Sequence, residues 1–282
     1  MNEKELIKAA LAEDLAGGAD ITSEATISAY ANSSADFVAR MDGVIAGSNI
    51  AHAVLVEVGI TDVTQLKKDG ESVKAGDILI TVRGNTRAIL LAERTALNFF
   101  GHLSGIATLT NKWVKEVSGT KCQVRDTRKT TPGMRVIEKY AVRMGGGVNH
   151  RMSLSDAALV KDNHIAAAGG VAAAFQAVRQ HAPDITVEIE VDTLDQLREA
   201  LGAGADLVLL DNMEPSVLRE AVSIAQEHTA RTGKKVLLEA SGGLTLAAAG
   251  AVGATGVDFI SVGGLTHSSP ILDIGLDYLR TL

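Results

Sequence analysis

Positive charge is concentrated in one part of an otherwise acidic chain. The 282 residues carry a net charge of −7, whereas residues 125–164 hold eight Lys or Arg against four Asp or Glu, a net charge of +4. Many of these cations stand beside Thr, Pro and Gly, in RDTRKTTPG (125–133) and MGGGVNHR (144–151). Arginine forks bind carboxylates and phosphates, and glycine lets backbone N–H groups approach an anion. The pattern predicts a pocket for small multivalent anions.

Two other interpretations of this basic segment are less favoured. A charge run is usually a solvated surface paired to acids elsewhere, but these cations form no run and fall at loops and predicted strand ends. Nucleic acid is disfavoured because Tyr140 is the one aromatic residue in the segment and the whole chain is acidic.

Six short apolar segments that follow each end in a residue able to do chemistry. The predicted strands are 121–126, 157–163, 185–191, 206–212, 235–243 and 258–264. Their terminal polar residues are Asp126, Lys161, Glu190, Asp211, Glu239 with Ser241, and Ser261. The carboxyl ends of parallel barrel strands open onto one face, where active sites assemble. Caps and ion pairs at the barrel mouth are the alternative for any single residue.

Two glycine pairs close the last two of these strands. EASGG (239–243) and SVGG (261–264) predict a phosphate cradle, with tight strand-to-helix turns as the alternative. The glycines of 144–151 lack the dinucleotide-binding spacing. The fourteen-residue separation of His150 and His164 matches no zinc pattern, so a structural zinc site is not favoured.

The elements that must position these residues change character near residue 115. Before it, short β segments alternate with turns, and 91–117 carries apolar positions at helical spacing, as one helix or two broken near Gly101–Gly105. After it, apolar strands alternate with Ala- and Leu-rich helices, which predicts a parallel sheet. A barrel is favoured, and a doubly wound open sheet is the runner-up.

Composition restricts the class of protein and the cellular compartment that we expect. Hydrophobic residues make up 46% of it, enough for a large aliphatic core, and no apolar run reaches the length of a membrane helix. A single cysteine, Cys122, fits a reducing compartment, and the first 22 residues resemble an acidic amphipathic helix rather than a secretion signal. We expect a cytoplasmic protein with no membrane or nucleic-acid partner.

Several motifs, in the same order, resemble quinolinate phosphoribosyltransferases. They are ERTALNFFGHLSGIAT (93–108), DTRKTTPGMRVIEKYAVRMGGGVNHR (126–151), ALVKDNHI (158–165), VEIEVDT (187–193), LLDNM (209–213) and LEASGG (238–243). The resemblance implies phosphoribosyl transfer from phosphoribosyl diphosphate to quinolinate with decarboxylation, giving nicotinate mononucleotide, diphosphate and CO₂, with Mg²⁺. The basic segment would then bind two highly charged anions, quinolinate and phosphoribosyl diphosphate.

The resemblance also implies roles for individual residues. The implied catalytic residues are Lys129, Lys161, Glu190 and Asp211, the last two holding ribose hydroxyls or Mg²⁺ on the diphosphate. The dicarboxylate and phosphate pocket would be lined by Thr127, Arg128, Lys129, His150, Arg151 and Lys161. The implied cradle for the 5′-phosphate consists of Ser241, Gly242, Gly243, Val262, Gly263 and Gly264, with His267 nearby.

The family's architecture gives the expected organisation. It is an incomplete α/β barrel of about six to seven parallel strands, joined to an N-terminal α/β sandwich lobe. We expect the lobe at 1–115, rejoined by 268–282, and the barrel at 116–267. The resemblance implies a homodimer or a hexamer of dimers, with Arg94 contributed across the interface.

Three rival functions remain open at this point. A pyrophosphorylase-like protein associated with molybdate transport would share the barrel, and a nicotinate-type phosphoribosyltransferase would use a monocarboxylate. KDGESVKAGDILITVRG (68–84) resembles a biotinyl or lipoyl carrier hairpin, but the following turn lacks a modifiable lysine. One departure from the family pattern is Ser153, where glycine is more usual, and we expect no effect on chemistry.

Overall fold

The computed structural model describes residues 2–281 and forms two compact units. Unit 1 contains the chain up to Asn111, Thr130–Gly146 and the chain from Leu265 onward, and unit 2 contains Lys112–Lys129 and Gly147–Gly264. The elements up to residue 116 are α1 (Glu3–Leu15), α2 (Ile21–Thr26), β1 (Asn32–Ala39), β2 (Gly43–Val44), α3 (Ser48–Glu57), β3 (Asp62–Gln65), β4 (Ser72–Val73), β5 (Ile78–Asn85) and α4 (Thr86–Glu116). The remaining elements are β6 (Gln123–Arg125), α5 (Arg135–Met144), β7 (Ala158–Val160), α6 (Asp162–Ala168), α7 (Val171–His181), β8 (Val187–Val191), α8 (Leu194–Gly202), β9 (Leu207–Asp211), α9 (Pro215–Thr232), β10 (Leu237–Ser241), α10 (Leu246–Gly253), β11 (Phe259–Ser261), α11 (Gly264–His267) and β12 (Ile274–Thr281).

Unit 1 is built on a four-stranded antiparallel sheet. The strand order is β12-β1-β5-β3, and β2 and β4 form a separate pair. In the central strand β1, Phe37 is fully buried and lies between Ile80 and Leu276 on the neighbouring strands. Pairing of β12 with β1 places residues 274–281 in this sheet.

Helix α4 runs for 31 residues without a break at its two internal glycines. A Cβ atom at Gly105 would lie 2.0 Å from the backbone oxygen of Pro270, and one at Gly101 would lie 2.9 Å from that of Leu272. These glycines therefore let the 270–272 backbone approach the helix, and they do not interrupt it.

Residues 130–146 belong to unit 1, whereas the predicted barrel ran unbroken over 116–267. A Cβ at Gly145 would lie 2.4 Å from the backbone oxygen of Ala107, so α5 approaches α4 at backbone distance. The buried Glu138 carboxylate lies 2.9 Å from His102 Nε2 on α4. Sequence periodicity identifies α5 but does not reveal which lobe it packs against.

Unit 2 contains a six-stranded parallel sheet in the order β6-β11-β10-β9-β8-β7. Consecutive strands lie side by side from β7 to β11, and β6 returns beside β11, which is the cyclic order of a barrel. Val148 adds a parallel bridge to Arg125. No strand pairing joins β6 to β7 within residues 2–281, so the barrel is incomplete and the predicted fold class is confirmed.

Among the helices of residues 2–281, none combines the length and apolar character needed to cross a membrane.

Cys122, directly before β6, is expected to be chemically inert in the folded protein. Its side chain is buried, and burial, reinforced by the carboxylate of Asp258, raises the pKa of the thiol to about 12. Because the thiolate is the reactive form, iodoacetamide at pH 8 should not modify the native chain but should label it fully in denaturant. Intact-mass measurement checks this, and labelling of the native chain at the rate of a free thiol would contradict it.

Candidate active site

Three predicted catalytic residues meet at the carboxyl ends of β7, β8 and β9. Lys161 Nζ lies 3.3 Å from Glu190 Oε2. Burial raises the pKa of Glu190, and the ammonium of Lys161 opposes that rise. Burial also raises the pKa of Asp211, and the Asp192 carboxylate adds to the effect, whereas Lys161 and Lys129 oppose it. The geometry thus places two half-buried carboxylates and two ammonium groups within electrostatic reach of one another.

The loop after β6 and the segment after α5 place Arg128 and Arg151 within electrostatic reach of each other. Asp126, which is fully buried, accepts the His150 backbone N–H at 2.9 Å and a hydrogen bond from the Asn149 side chain, so it ties 126–129 to 149–151. Burial lowers the pKa of Arg151, and the guanidinium of Arg128 lowers it further. Two cations held in a half-buried position favour an anion between them.

A layer of charged side chains fills the barrel interior beneath this rim. Arg125, Glu188 and Glu239 come from the alternate strands β6, β8 and β10, the arrangement that barrel layers normally fill with branched aliphatic residues. Arg125 Nη1 lies 2.6 Å from Glu239 Oε2, and His150 Nε2 lies 2.7 Å from Glu188 Oε2. Burial raises the pKa of Glu239, and the Glu188 carboxylate adds to this rise.

This layer has the spacing of a metal site but already contains its own cation. The ligand atoms of His150, Glu188 and Glu239 lie within 4.8 Å of one another. Arg125 pairs with Glu239, and its guanidinium also stacks on Phe259, 3.8 Å from the ring centroid. A divalent ion here would add charge beside the half-buried guanidinium of Arg125, so we assign no metal to the layer.

Glu188 is the residue that the strand-end prediction missed. The sequence carried a signal for it, because in VEIEV alternate residues share one face of a strand, so Glu188 points to the same side as Glu190. Taking only the last polar residue of each strand concealed the layer below.

The glycine pair after β10 is required by local packing. Gly242 has φ +91°, and a Cβ there would lie 2.2 Å from Asn212 Oδ1. Asn212 is itself left-handed, with φ +53°, and donates its backbone N–H to Ser241 O at 2.9 Å. The tight-turn interpretation therefore explains Gly242, whereas a Cβ at Gly264 would meet open space.

Arg94 and His267 belong to unit 1, apart from the other predicted site residues. The Arg94 side chain is 69% exposed on α4, and its guanidinium lies 3.9 Å from Glu93. His267 lies at the end of α11, where its Nδ1 is 2.6 Å from Ser268 Oγ. Unit 2 alone therefore does not bring these two side chains to the rim.

Comparison with known proteins gives one consistent result. The profile of the quinolinate phosphoribosyl transferase N-terminal domain matches residues 20–104, and that of the C-terminal domain matches 106–277. The chain belongs to this family. It is 50% identical to nicotinate-nucleotide pyrophosphorylase [carboxylating] of Mycobacterium leprae over 97% of this chain and 96% of the relative. A structure of nicotinate-nucleotide pyrophosphorylase from Francisella tularensis superposes with a TM-score of 0.92 at 42% identity, covering 98% of this chain and 96% of that one.

Membership of the quinolinate phosphoribosyltransferase family decides between the rival functions. The chain is a pentosyltransferase of pyridine nucleotide biosynthesis, and the predicted family, activity and pathway are confirmed. The second structural relative, a nicotinate-nucleotide pyrophosphorylase from Ehrlichia chaffeensis, has a TM-score of 0.91 at 36% identity and covers 99% of both chains. The molybdate-associated and nicotinate-type alternatives are not supported.

The departure at Ser153 lies in a turn closed by Asp156. That carboxylate accepts the backbone N–H groups of Met152 and Ser153, at 2.6 and 2.8 Å, and the Ser153 hydroxyl at 3.0 Å. Burial acts to raise the pKa of Asp156, but these donors outweigh it and hold the pKa at about 2. The serine hydroxyl thus adds one donor to a turn that the backbone N–H groups already close.

Proposed function

We propose that the rim of unit 2 holds quinolinate and phosphoribosyl diphosphate side by side for the reaction of this family. The observation that carries the assignment is that Arg128 and Arg151, both half-buried, stand on two segments that Asp126 binds together and lie within electrostatic reach of each other. Quinolinate is a dianion, and two guanidiniums in a half-buried position match its adjacent carboxylates. The proposed pocket is lined by Thr127, Arg128, Lys129, His150, Arg151 and Lys161.

The carboxylates of Glu190 and Asp211 are proposed to hold the ribose hydroxyls of phosphoribosyl diphosphate, or Mg²⁺ on its diphosphate. Burial raises the pKa of both carboxylates, and Lys161 acts against both rises while Lys129 acts against that of Asp211. Such an oxygen donor set fits Mg²⁺, which binds through one or two carboxylates together with substrate phosphates. When bound, Mg²⁺ would neutralise charge on the departing diphosphate.

The turns after β10 and β11 are proposed to cradle the 5′-phosphate. The cradle consists of Ser241, Gly242, Gly243, Val262, Gly263 and Gly264, with His267 nearby. The open space at the Cβ position of Gly264 supports this role, because backbone N–H groups bind an anion only where it can approach closely. Gly242 is fixed by its contact with Asn212 and would serve as part of the turn.

The chemistry then follows from orientation and charge. The bond between ribose C1 and the diphosphate oxygen breaks, and its electron pair leaves with diphosphate. The pyridine nitrogen of quinolinate donates its lone pair to C1 and becomes a pyridinium. The bond from C2 to its carboxylate breaks, CO₂ departs, and the electron pair left at C2 next to the positive nitrogen takes up a proton. The protein's contribution is to hold two mutually repelling anions in contact.

The direct test of this proposal is turnover of the purified protein. Quinolinate with phosphoribosyl diphosphate and Mg²⁺ should give nicotinate mononucleotide and one CO₂ per diphosphate released. Nicotinate in place of quinolinate should give at most a trace of product, because it lacks the second carboxylate. Equal rates with the two pyridines would contradict the dicarboxylate pocket.

We also propose that the active protein is a homodimer, or a hexamer of dimers, in the cytoplasm, with Arg94 reaching the partner's site. Support comes from the exposure of Arg94 on unit 1 and from bulky apolar side chains left exposed on the same unit, among them Tyr30 at 91% and Ile21 at 80%. Exposed apolar side chains of this size are usual where another protein surface binds.

A mixed dimer tests the contribution of Arg94. Chains carrying Arg94→Ala and chains carrying Lys161→Ala should each be nearly inactive alone. Co-expressed in equal amounts, they should recover about a quarter of the parent activity, because half of randomly paired dimers contain one intact site of two. Failure to recover activity, with mixed dimers verified by two affinity tags, would rule out donation across the interface.

A further inference from the structure

The buried charged layer connects directly to the backbone that carries Arg151. His150 Nε2 lies 2.7 Å from Glu188 Oε2, and the other ring nitrogen, Nδ1, accepts the Arg151 backbone N–H at 2.7 Å. The His150 backbone N–H donates to Asp126 at 2.9 Å. The peptide N–H groups on both sides of the His150 Cα are therefore held, that of His150 by the buried Asp126 and that of Arg151 by the His150 ring.

These contacts specify which ring nitrogen carries the proton. Since Nδ1 accepts a hydrogen bond, the proton lies on Nε2 and is donated to Glu188. A ring protonated at Nδ1 would direct a second donor at the Arg151 N–H and would push that residue away. Both ring nitrogens of His150 thus have protein partners.

Glu188 is placed to enforce this tautomer. It is 2% exposed, and its second oxygen, Oε1, has no hydrogen-bond partner within residues 2–281. The nearby Glu239 Oε1 is 3.8 Å from His150 Nε2, beyond hydrogen-bond distance, and its carboxylate is paired with Arg125. The strong contact of the ring is therefore with Glu188.

We propose that Glu188 is a positioning residue for quinolinate binding, acting through the tautomer of His150 on the placement of Arg151. The inference rests on the proposed function, because the placement of Arg151 matters only if its guanidinium binds a substrate carboxylate. Within the pocket that His150 is proposed to line, its role is then indirect, because both ring nitrogens bind protein partners and the ring orders the backbone of Arg151.

Removing Glu188 should harm substrate binding without unfolding the barrel. In Glu188→Leu, Arg125 still balances Glu239, so no buried charge is left unpaired, and leucine fills most of the space. We expect the KM for quinolinate to rise about tenfold or more, while the KM for phosphoribosyl diphosphate stays near the parent value. The E188Q variant keeps an acceptor for the Nε2 proton and should recover most of the affinity.

A double-variant cycle separates positioning from general damage. Arg151→Lys keeps a cation and a backbone N–H but loses the guanidinium fork whose orientation Glu188 is inferred to control. Adding E188L to R151K should therefore cause little further loss of quinolinate affinity, measured by calorimetry. Losses that multiply in the double variant would overturn the proposal. Asp258→Asn is the matched control, because Asp258 is a buried carboxylate directly before β11 that accepts the Leu238 N–H and binds Lys121. This variant should not raise the KM for quinolinate.

The tautomer itself is measurable without substrate. The ¹⁵N shifts of the His150 ring, assigned by their loss in His150→Asn, should show a protonated Nε2 and an unprotonated Nδ1 in the parent. E188L should lose this single tautomer. A parent ring protonated at Nδ1, or at both nitrogens, would overturn the proposal. These shifts are read on the resting protein, so they are judged separately from whether the protein turns over quinolinate.

Discussion

Arg128→Ala is expected to lower kcat/KM for quinolinate on the order of a hundredfold to a thousandfold. Truncating one partner of a desolvated charge pair costs about 2–5 kcal/mol, because the other charge stays buried without its counterion. In the proposed pocket the unpaired group would be a carboxylate of quinolinate, next to Arg151, whose single guanidinium cannot bind both carboxylates. The loss should appear mainly in the KM for quinolinate.

The matched control for this variant is Arg179→Ala. Arg179 is also in unit 2, where its guanidinium donates to Ile185 O at 3.1 Å and lies 3.6 Å from Asp206. Its removal deletes the same charge and side-chain volume but should leave kcat/KM close to the parent value. Steady-state kinetics with circular dichroism on both variants checks the expectation, and near-normal turnover by R128A would refute the assigned pocket.

Lys161→Ala is expected to reduce kcat by a similar factor, on the order of a hundredfold to a thousandfold, the usual cost of losing one preorganised electrostatic group. The ammonium lies 3.3 Å from Glu190 and also opposes the rise in the pKa of Asp211. Its loss removes a cation from the reacting anions and weakens the ionised state of both carboxylates. Lys161→Arg keeps the charge and should retain more activity than Lys161→Ala.

The pH profile gives this second prediction a separate readout. Burial raises the pKa of Glu190, and Lys161 is the first group that counteracts it. Without Lys161 the carboxylate keeps its proton to a higher pH, so if the ionised form is required, the acid limb of residual kcat should move upward. An acid limb at the parent position, with kcat near the parent value, would show that Lys161 does not act on this cluster.

Much of the candidate site could be predicted because it depends on local sequence. Apolar strand segments ending in Lys161, Glu190 and Asp211 predict residues on one rim wherever consecutive parallel strands lie side by side. The excess of cations over 125–164 predicts anionic substrates whatever the fold. The motifs of 126–151 then specified the family, because their length and order are far more specific than composition.

The tertiary structure decided which segments that are far apart in the sequence contact one another. The close approach of α5 to α4 depends on Gly145 meeting Ala107, and the approach of the 270–272 backbone to α4 depends on Gly105 meeting Pro270. The charged layer of Arg125, Glu188 and Glu239 depends on which strands alternate around the sheet. Sequence alone determined the kinds of residues, their periodicity and their charge, since these are properties of neighbours along the chain. Only the folded structure decided which side chains share a buried space, because burial and pairing are set by segments far apart in sequence.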